Sequence, residues 1–223
     1  MNIDKSIEKY SFFLPFVEFV WWNLNKNVQS ILDIGCGLGN PIATINRHRS
    51  FYTIGLDRFP PSIKECKRMR RHDDYIICDV NFLPIRTKSI DVIHCLQLIE
   101  HLHKIEGLNL IQEFDRIARH QVILATPVGF LHIKHGHKEN PTDIHKSGWV
   151  PSELKGFGYK VRGIDGLKCV SGASFGGIGS KFEGDAPLTV ILRYLVYAIS
   201  YLSRPIGYFF PNIAFCMLCI KNQ

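Results

Sequence analysis

The sequence lacks several features that would set the chain apart from ordinary globular proteins. It has no internal repeat and no low-complexity tract, and residues 1–9 do not follow the basic-then-apolar order of a signal peptide. The longest apolar run, at 188–203, is interrupted by Arg193 and is shorter than the roughly 20 residues that a membrane-spanning helix needs. With 223 residues, 46% of them hydrophobic and 21% charged, the chain is predicted to form one globular domain.

Metal-binding patterns are also scarce in the sequence. Among seven cysteines, only Cys216 and Cys219 have C-x-x-C spacing, and they lie in an apolar run typical of a strand. His132, His135 and His137 do not share one face of a predicted helix. We therefore expect reduced thiols, no bound metal and a cytoplasmic location. The net charge of +7 permits attraction to nucleic acid or to anionic lipid, but it establishes neither.

The sequence is organised around residues 28–41. The apolar run at 31–34 predicts a buried parallel strand, and Pro41 favours the first turn of a helix. Between them lie glycines at every second position, which let the backbone turn sharply and approach a ligand because they carry no Cβ. These glycines are Gly35, Gly37 and Gly39. The stretch predicts a ligand-binding crevice at the carboxyl end of a strand, although a tight turn that binds nothing would have the same pattern.

The spacing of these glycines bears on the class of ligand. A dinucleotide site requires a third glycine at position 40, where the sequence has Asn40. Asp33 is a poor neighbour for a pyrophosphate, but it suits a cationic ligand, directly or through water. The tract LDIGCGLG at 32–39 resembles the first motif of class I S-adenosylmethionine-dependent methyltransferases. This resemblance implies that the turn binds S-adenosylmethionine.

The rest of the chain extends this resemblance over residues 28–165. Five predicted strands alternate with four predicted helices, which indicates a parallel, doubly wound α/β sheet. The tract at 98–102 (LIEHL) is similar to one that follows the fourth strand in the same group of methyltransferases. The resemblance implies a Rossmann-like sheet of seven strands, mostly parallel, with an antiparallel last strand at 213–220 and helices on both faces.

We expect this single domain, 1–223, to have three parts. Residues 1–27 are predicted to form a helical lid, residues 28–165 the cofactor-binding core, and residues 166–223 a mobile loop, an apolar helix and the final strand. Pro15 is expected to kink or split the N-terminal helix. The alternative for the N-terminal segment is a helix that simply packs over the edge of the sheet.

Acidic residues that end predicted strands complete the expected cofactor site. Asp57 ends the second strand and is expected to accept hydrogen bonds from both ribose hydroxyls, a feature that NAD enzymes share. Asp79 ends the third strand, where the resemblance implies a residue near the adenine amino group. The full set of predicted cofactor-binding residues is Asp33, Gly35, Cys36, Gly37, Gly39, Asp57, Arg58, Asp79, Val80, Cys95 and Leu96.

Methyl transfer to a hydroxyl or a carbon acid needs a base. His101 follows the fourth strand and is our catalytic candidate, although a residue that only orients the backbone would fit the same position. His132, His135, His137 and His145 are further candidates, but we expect His145 to position its loop beside Trp149.

The acceptor is predicted to be a small molecule, a lipid-like compound or a saccharide, with nucleic acid unfavoured. We expect an apolar acceptor to enter between the N-terminal segment, the loop at 127–147 and the helix at 188–203, which would also permit peripheral membrane contact. Alternatively, these segments pack on the sheet or on a second copy, so the chain is a monomer or a homodimer. An RNA methyltransferase, or a cofactor-binding regulatory or inactive partner subunit, remains an alternative function.

Overall fold

The computed structural model describes residues 11–25, 27–48, 50–131, 144–171 and 187–223. Within these residues the strands are β1 (Ser30–Ile34), β2 (Tyr52–Asp57), β3 (Asp74–Ile77), β4 (Ile90–Leu96), β5 (Ala118–Pro127), β6 (Lys160–Leu167) and β7 (Ala214–Asn222). They form one seven-stranded sheet in the order β3-β2-β1-β4-β5-β7-β6. The pairs among β1 to β5 are parallel, whereas β7 is antiparallel to β5 and β6. This arrangement confirms the predicted Rossmann-like sheet with an antiparallel last strand.

The helices connect and cover the strands. They are α1 (Phe16–Asn23), α2 (Asn40–Ile45), α3 (Pro60–Arg68), α4 (Lys104–Ile117), α5 (Pro151–Gly156), α6 (Lys168–Ser171), α7 (Pro187–Leu202) and α8 (Arg204–Phe209). The predicted N-terminal helix is divided into a 3-10 turn at Ser11–Phe13 and helix α1, which begins directly after Pro15. Residues 1–10, 132–143 (most of the predicted loop, with His132, His135 and His137) and 172–186 lie outside the described residues, so the predicted lid and mobile loop stay predictions.

Among the described residues, the sheet separates the two larger of three core clusters, because successive side chains of a strand point to opposite faces. On β1, Leu32 and Ile34 pack in the larger cluster with helix α4, Trp149 and parts of β7. Ile31 packs on the other face with helices α1 and α2. Since apolar side chains cover both faces of the central strands, β4 is buried along its whole length, as expected of a central parallel strand.

One edge of the sheet gathers the ends of several strands. β1, β2, β4 and β5 are parallel, and β6 runs in the same direction because both β5 and β6 are antiparallel to β7. The turn after β1 and the helices after β6 therefore lie at the same, carboxyl edge. Helix α8 packs closely on β6, where a Cβ at Gly163 would lie only 2.0 Å from the carbonyl oxygen of Gly207.

Candidate active site

The turn after β1 has the backbone that its glycines predicted. Gly35, Gly37 and Gly39 have φ angles of +72°, +50° and +68°, in the region that favours glycine. The amides of Gly35 and Cys36 donate to the carbonyl of Leu56 at 2.7 and 3.0 Å, which ties the turn to β2. A Cβ added at Gly37 would meet no atom within 4 Å, so the turn faces open space there.

The carboxylate of Asp57 lies directly beside this turn. One oxygen accepts a hydrogen bond from the Gly37 amide at 2.9 Å, and the other accepts from the Phe59 amide at 2.9 Å. Asp57 is half-buried. The fold thus brings together the glycine turn and the acid that ends β2, two features that sequence analysis assigned to one ligand.

Arg58 and Asp79 lie together at the ends of β2 and β3. The Nη1 atom of Arg58 is 3.8 Å from Oδ2 of Asp79. The other oxygen of Asp79 accepts hydrogen bonds from the amide and the side chain of Asn81, each at 2.9 Å, and so caps the 3-10 turn that begins at Val80. Strand β3 ends at Ile77, before Asp79, because this capped turn replaces the last residues of the predicted strand.

The predicted residues on β4 are buried in the sheet. Cys95 is fully buried in the larger core cluster, and burial raises the pKa of its thiol well above the ordinary value. Leu96 packs in the cluster on the opposite face. The Cys95 sulfur is therefore part of the core. The backbone that follows β4, after Leu96, lies at the carboxyl edge of the sheet.

Asp33 is held between two histidines that sequence analysis did not connect with it. Its Oδ1 lies 2.6 Å from Nδ1 of His94, and its Oδ2 lies 3.0 Å from Nε2 of His72. Burial alone would raise the pKa of Asp33, but these two histidines lower it to about 2. A role of Asp33 toward a cationic ligand stays a prediction, since both of its oxygens already have histidine partners.

His101 belongs to a cluster at the ends of β4 and β5. Its ring lies edge-on to the ring of His145, with 4.8 Å between the centroids. One potential ligand atom from each of Glu100, His101 and His145 lies within 4.8 Å of the others. This spacing suits proton exchange and is also short enough for a shared cation. The prediction for His145 missed this contact because the loop that carries it is remote from His101 in sequence.

Glu100 is the buried member of this cluster. Its Oε2 accepts a hydrogen bond from the Thr126 hydroxyl at 2.9 Å, whereas Oε1 has no hydrogen-bond partner among the described residues. Burial raises the pKa of Glu100 to about 7. His145 is fixed by a 2.9 Å contact between its Nδ1 and the carbonyl of Leu131, and burial, followed by the charge on His101, lowers its pKa. Glu100 can therefore hold or release a proton near neutral pH.

Helices α7 and α8 carry a large apolar surface beside the same edge of the sheet. We call it the α7–α8 surface. It comprises the exposed side chains of Leu188, Ile191, Tyr194, Leu195, Tyr197, Ile199, Tyr201, Leu202, Ile206, Phe209 and Phe210. In the part of the chain that the structure describes, no helix is long and apolar enough to cross a membrane.

The N-terminal segment contacts this surface. Phe13 stacks on Tyr201 at 5.1 Å between ring centroids, and Arg204 donates to the carbonyls of Phe13 and Leu14. Other N-terminal aromatics have structural roles: Phe19 is buried in the core, and Trp21 stacks on the imidazole of His48. The N-terminal segment and the helix at 188–203, both of which were predicted to border an acceptor site, are therefore neighbours.

Comparisons with known proteins agree with this geometry. Residues 32–126 match a family model described as a methyltransferase domain. An uncharacterized protein of Methanocaldococcus jannaschii is 28% identical over 176 residues, which cover 76% of this chain and 69% of that protein.

Two solved structures share the fold. The methyltransferase solved in complex with the Trm112 activator of Haloferax volcanii has a TM-score of 0.59 and 14% identity, covering 98% of this chain and 92% of that chain. A SAM-dependent methyltransferase from Archaeoglobus fulgidus has a TM-score of 0.54 and 15% identity, covering 99% and 93%. The domain match over residues 32–126 and the shared fold both support a class I S-adenosylmethionine-dependent methyltransferase, with S-adenosylmethionine as the cofactor.

Proposed function

We propose that this protein transfers a methyl group from S-adenosylmethionine to an apolar, lipid-like acceptor that it meets at a membrane surface. The observation that carries the proposal is the α7–α8 surface, where large apolar side chains are exposed on helices too short to span a bilayer. Tyr194 is 70% exposed, Leu202 68% and Phe209 64%. Exposed apolar area of this extent is unusual on a soluble monomer and is typical of a membrane or partner contact.

The charge of this region favours an anionic lipid surface. The segment 187–223 contains no aspartate or glutamate, and it includes Arg193, Arg204 and Lys221. The chain as a whole has a net charge of +7. Basic residues near an interfacial helix add electrostatic attraction to the apolar contribution, and tyrosine side chains suit the headgroup region because they are amphipathic.

The position of the surface supports access to the cofactor. Helices α6 to α8 follow β6 and lie at the edge of the sheet that also carries the glycine turn. An acceptor held at the α7–α8 surface would approach the turn from the side of Phe13 and the end of β5. A small-molecule site is usually mostly apolar with a few polar anchors, and these segments would supply such walls.

The residues near the turn fit the cofactor, because Gly37 faces open space where any other residue would place a Cβ. The bound cofactor supplies a methyl group on a sulfonium, which is already an excellent leaving group. We propose that Asp57 holds the ribose hydroxyls and that Asp79 lies near the adenine. The chain must then hold the acceptor in line with the methyl group and exclude water, and positioning supplies most of the rate.

We propose His101 as the catalytic residue that takes the proton of a hydroxyl acceptor. Glu100 and His145 lie close enough to orient its ring and to share the proton. We expect His101→Ala to reduce turnover by about a hundredfold, in the range of general-base catalysis, while the affinity for S-adenosylhomocysteine changes little. Activity that is lost on treatment with a chelator and restored by Mn²⁺ would instead assign activation of the acceptor to a cation in this cluster.

The membrane proposal is tested by flotation of the protein with phosphatidylglycerol vesicles and with phosphatidylcholine vesicles. We expect the unaltered chain to float with the anionic vesicles, and the double variant Ile191→Glu/Leu195→Glu to remain unbound. Ile105→Glu is the matched control, because Ile105 is also exposed but lies on α4, away from the surface. If the double variant and the control bind equally well, the α7–α8 surface is not a membrane contact.

The acceptor class is tested separately with a radiolabelled methyl donor and fractionated cell extract. Label in the lipid fraction supports the proposal, whereas label in RNA supports the alternative RNA methyltransferase. A protein that binds the cofactor and labels no fraction would fit a regulatory or inactive partner subunit.

A further inference from the structure

Two thiols and one imidazole from separate segments meet beneath the glycine turn. Cys36 lies in the turn, Cys66 on α3, and His72 between α3 and β3. All three residues are buried, and their potential ligand atoms lie within 4.8 Å of one another. Sγ of Cys66 is 3.3 Å from Nδ1 of His72. Sulfur and nitrogen ligands of tetrahedral zinc are roughly 3.5 Å apart, given metal distances of about 2.3 and 2.0 Å.

His72 is oriented as a metal-binding histidine is. Its Nε2 lies 3.0 Å from a carboxylate oxygen of Asp33, so an Nε2–H would donate to that oxygen. The remaining lone pair is then on Nδ1, the atom that faces Cys66. A carboxylate that accepts from the second nitrogen of a metal-bound histidine fixes the tautomer and the ring, and it makes the histidine a better ligand. Asp33 is itself fixed by His94 at 2.6 Å.

The backbone around the three residues leaves room for this arrangement. A Cβ at Gly39 would lie 2.8 Å from Sγ of Cys66, and a Cβ at Gly55 would lie 2.8 Å from Nδ1 of His72. The hydroxyl of Tyr75 accepts from the His72 amide at 3.0 Å and donates to the Cys66 carbonyl at 3.2 Å. The loop before β3 and the end of α3 are thus held together beside the thiols and the imidazole.

We propose that Cys36, Cys66 and His72 bind one Zn²⁺ ion beneath the cofactor turn. Two thiolates balance the charge of the ion, which matters at a buried site where an unpaired charge is costly. Two sulfurs and one nitrogen are typical zinc ligands, and the fourth tetrahedral position is left for water. The ion would link the turn at Cys36 to α3. The proposal is independent of the methyl acceptor and of His101.

Cobalt serves as the spectroscopic probe of this site in the full chain. The protein is purified under reducing conditions, stripped with a chelator and titrated with Co²⁺. We expect one equivalent to bind with the near-ultraviolet thiolate-to-cobalt charge-transfer band and the intense visible bands of tetrahedral cobalt. Addition of Zn²⁺ should abolish these bands. A fully reduced chain that develops no thiolate band would overturn the proposal.

Two variants and a control assign the ligands. Cys66→Ser and His72→Gln should each weaken binding of Co²⁺ by at least a hundredfold, whereas Cys169→Ser, which alters an exposed thiol on α6, should bind as the unaltered chain does. A band that persists in Cys66→Ser and disappears in Cys169→Ser would show adventitious binding at the surface.

A measurement on the unaltered chain covers the case in which these variants do not fold. X-ray absorption at the zinc edge should show two sulfur neighbours at about 2.3 Å and at least one nitrogen neighbour at about 2.0 Å. A shell of nitrogen and oxygen alone would exclude the two cysteines as ligands.

Discussion

Asp33 and Glu100 are two buried carboxylates whose pKa values are displaced in opposite directions. Asp33 is 3% exposed and Glu100 is 2% exposed, so burial disfavours the charged form of both. For Asp33, the charges and hydrogen bonds of His94 and His72 outweigh burial and lower the pKa to about 2. Among the residues that the structure describes, the Thr126 hydroxyl is the one side-chain donor to Glu100, and burial raises the pKa of Glu100 to about 7. The neighbours, and not the depth, decide which carboxylate carries a proton.

The difference fits two separate tasks. Asp33 is a permanent anion near neutral pH, and it holds His72 and His94 at fixed positions in the interior. Glu100 changes its protonation near neutral pH beside His101 and His145, which is the property expected of a group that takes part in proton transfer. The same chemical group is therefore held as an anion under the glycine turn and close to half-protonation, near neutral pH, at the end of β4.

The largest effect should come from removing the Asp33 carboxylate. Asp33→Ala leaves two buried histidines without their acceptor, and breaking a buried pair in this way costs about 3–5 kcal/mol. We expect urea unfolding at neutral pH, with chelator present, to show a loss of this size. Glu65→Ala is the control, since its partner Arg68 is at the surface and an exposed ion pair contributes little to stability. Equal losses in both variants would contradict the assigned role of Asp33.

The pH dependence of stability should reveal Glu100 directly. Between the ordinary pKa of 4.5 and the folded value of about 7, the folded chain keeps a proton that the unfolded chain has released. Stability therefore falls as the pH rises through this window, by about 3 kcal/mol at most, since one pKa unit corresponds to about 1.4 kcal/mol. We expect Glu100→Gln to remove this fall in urea unfolding measured from pH 4.5 to 8. If the Glu100→Gln variant loses as much stability between pH 4.5 and 8 as the unaltered chain does, another group causes the decrease.

Asp57 is less buried than Asp33 and Glu100, and its hydrogen-bond partners are backbone amides. We predict that it binds the ribose. Asp57→Ala would remove a charged acceptor, and a hydrogen bond to a charged group contributes about 1.5–3 kcal/mol, so the affinity for S-adenosylhomocysteine should fall by about tenfold or more. Isothermal titration measures this change, with Glu65→Ala as the control. An unchanged dissociation constant would remove Asp57 from the site.

Local patterns in the sequence were enough to predict much of the fold. The glycine spacing predicted the turn at 35–39, and the apolar runs predicted the strands, since these features depend on residues that are adjacent in the chain. Boundaries were less accurate where capping decides them: β3 ends before Asp79, whose side chain caps the next turn instead.

The clusters at the site could not be predicted in the same way, because they join residues that are remote in sequence. His72 is 39 positions from Asp33, and His94 is 61 positions away. Cys36 and Cys66 have no zinc-like spacing, and only the packing of α3 against the turn brings them together. Glu100 lay within a recognised tract, but its raised pKa depends on burial by the folded chain.

The smallest predicted effect would sharpen the comparison between the two carboxylates. The Thr126 hydroxyl donates to Glu100 and favours its charged form, so Thr126→Val should raise the pKa of Glu100 further. A hydrogen bond contributes about 0.5–1.5 kcal/mol, which corresponds to a rise of roughly 0.4–1 unit in the folded-state pKa of Glu100. The pH at which stability stops decreasing should rise by the same amount. Thr53→Val is the matched control, because Thr53 is also fully buried and donates to a different carboxylate, Asp73, at 3.0 Å. Both variants should lose a similar amount of stability, but only Thr126→Val should move the pH profile. If both profiles move alike, or neither moves, the hydroxyl of Thr126 does not set the protonation of Glu100.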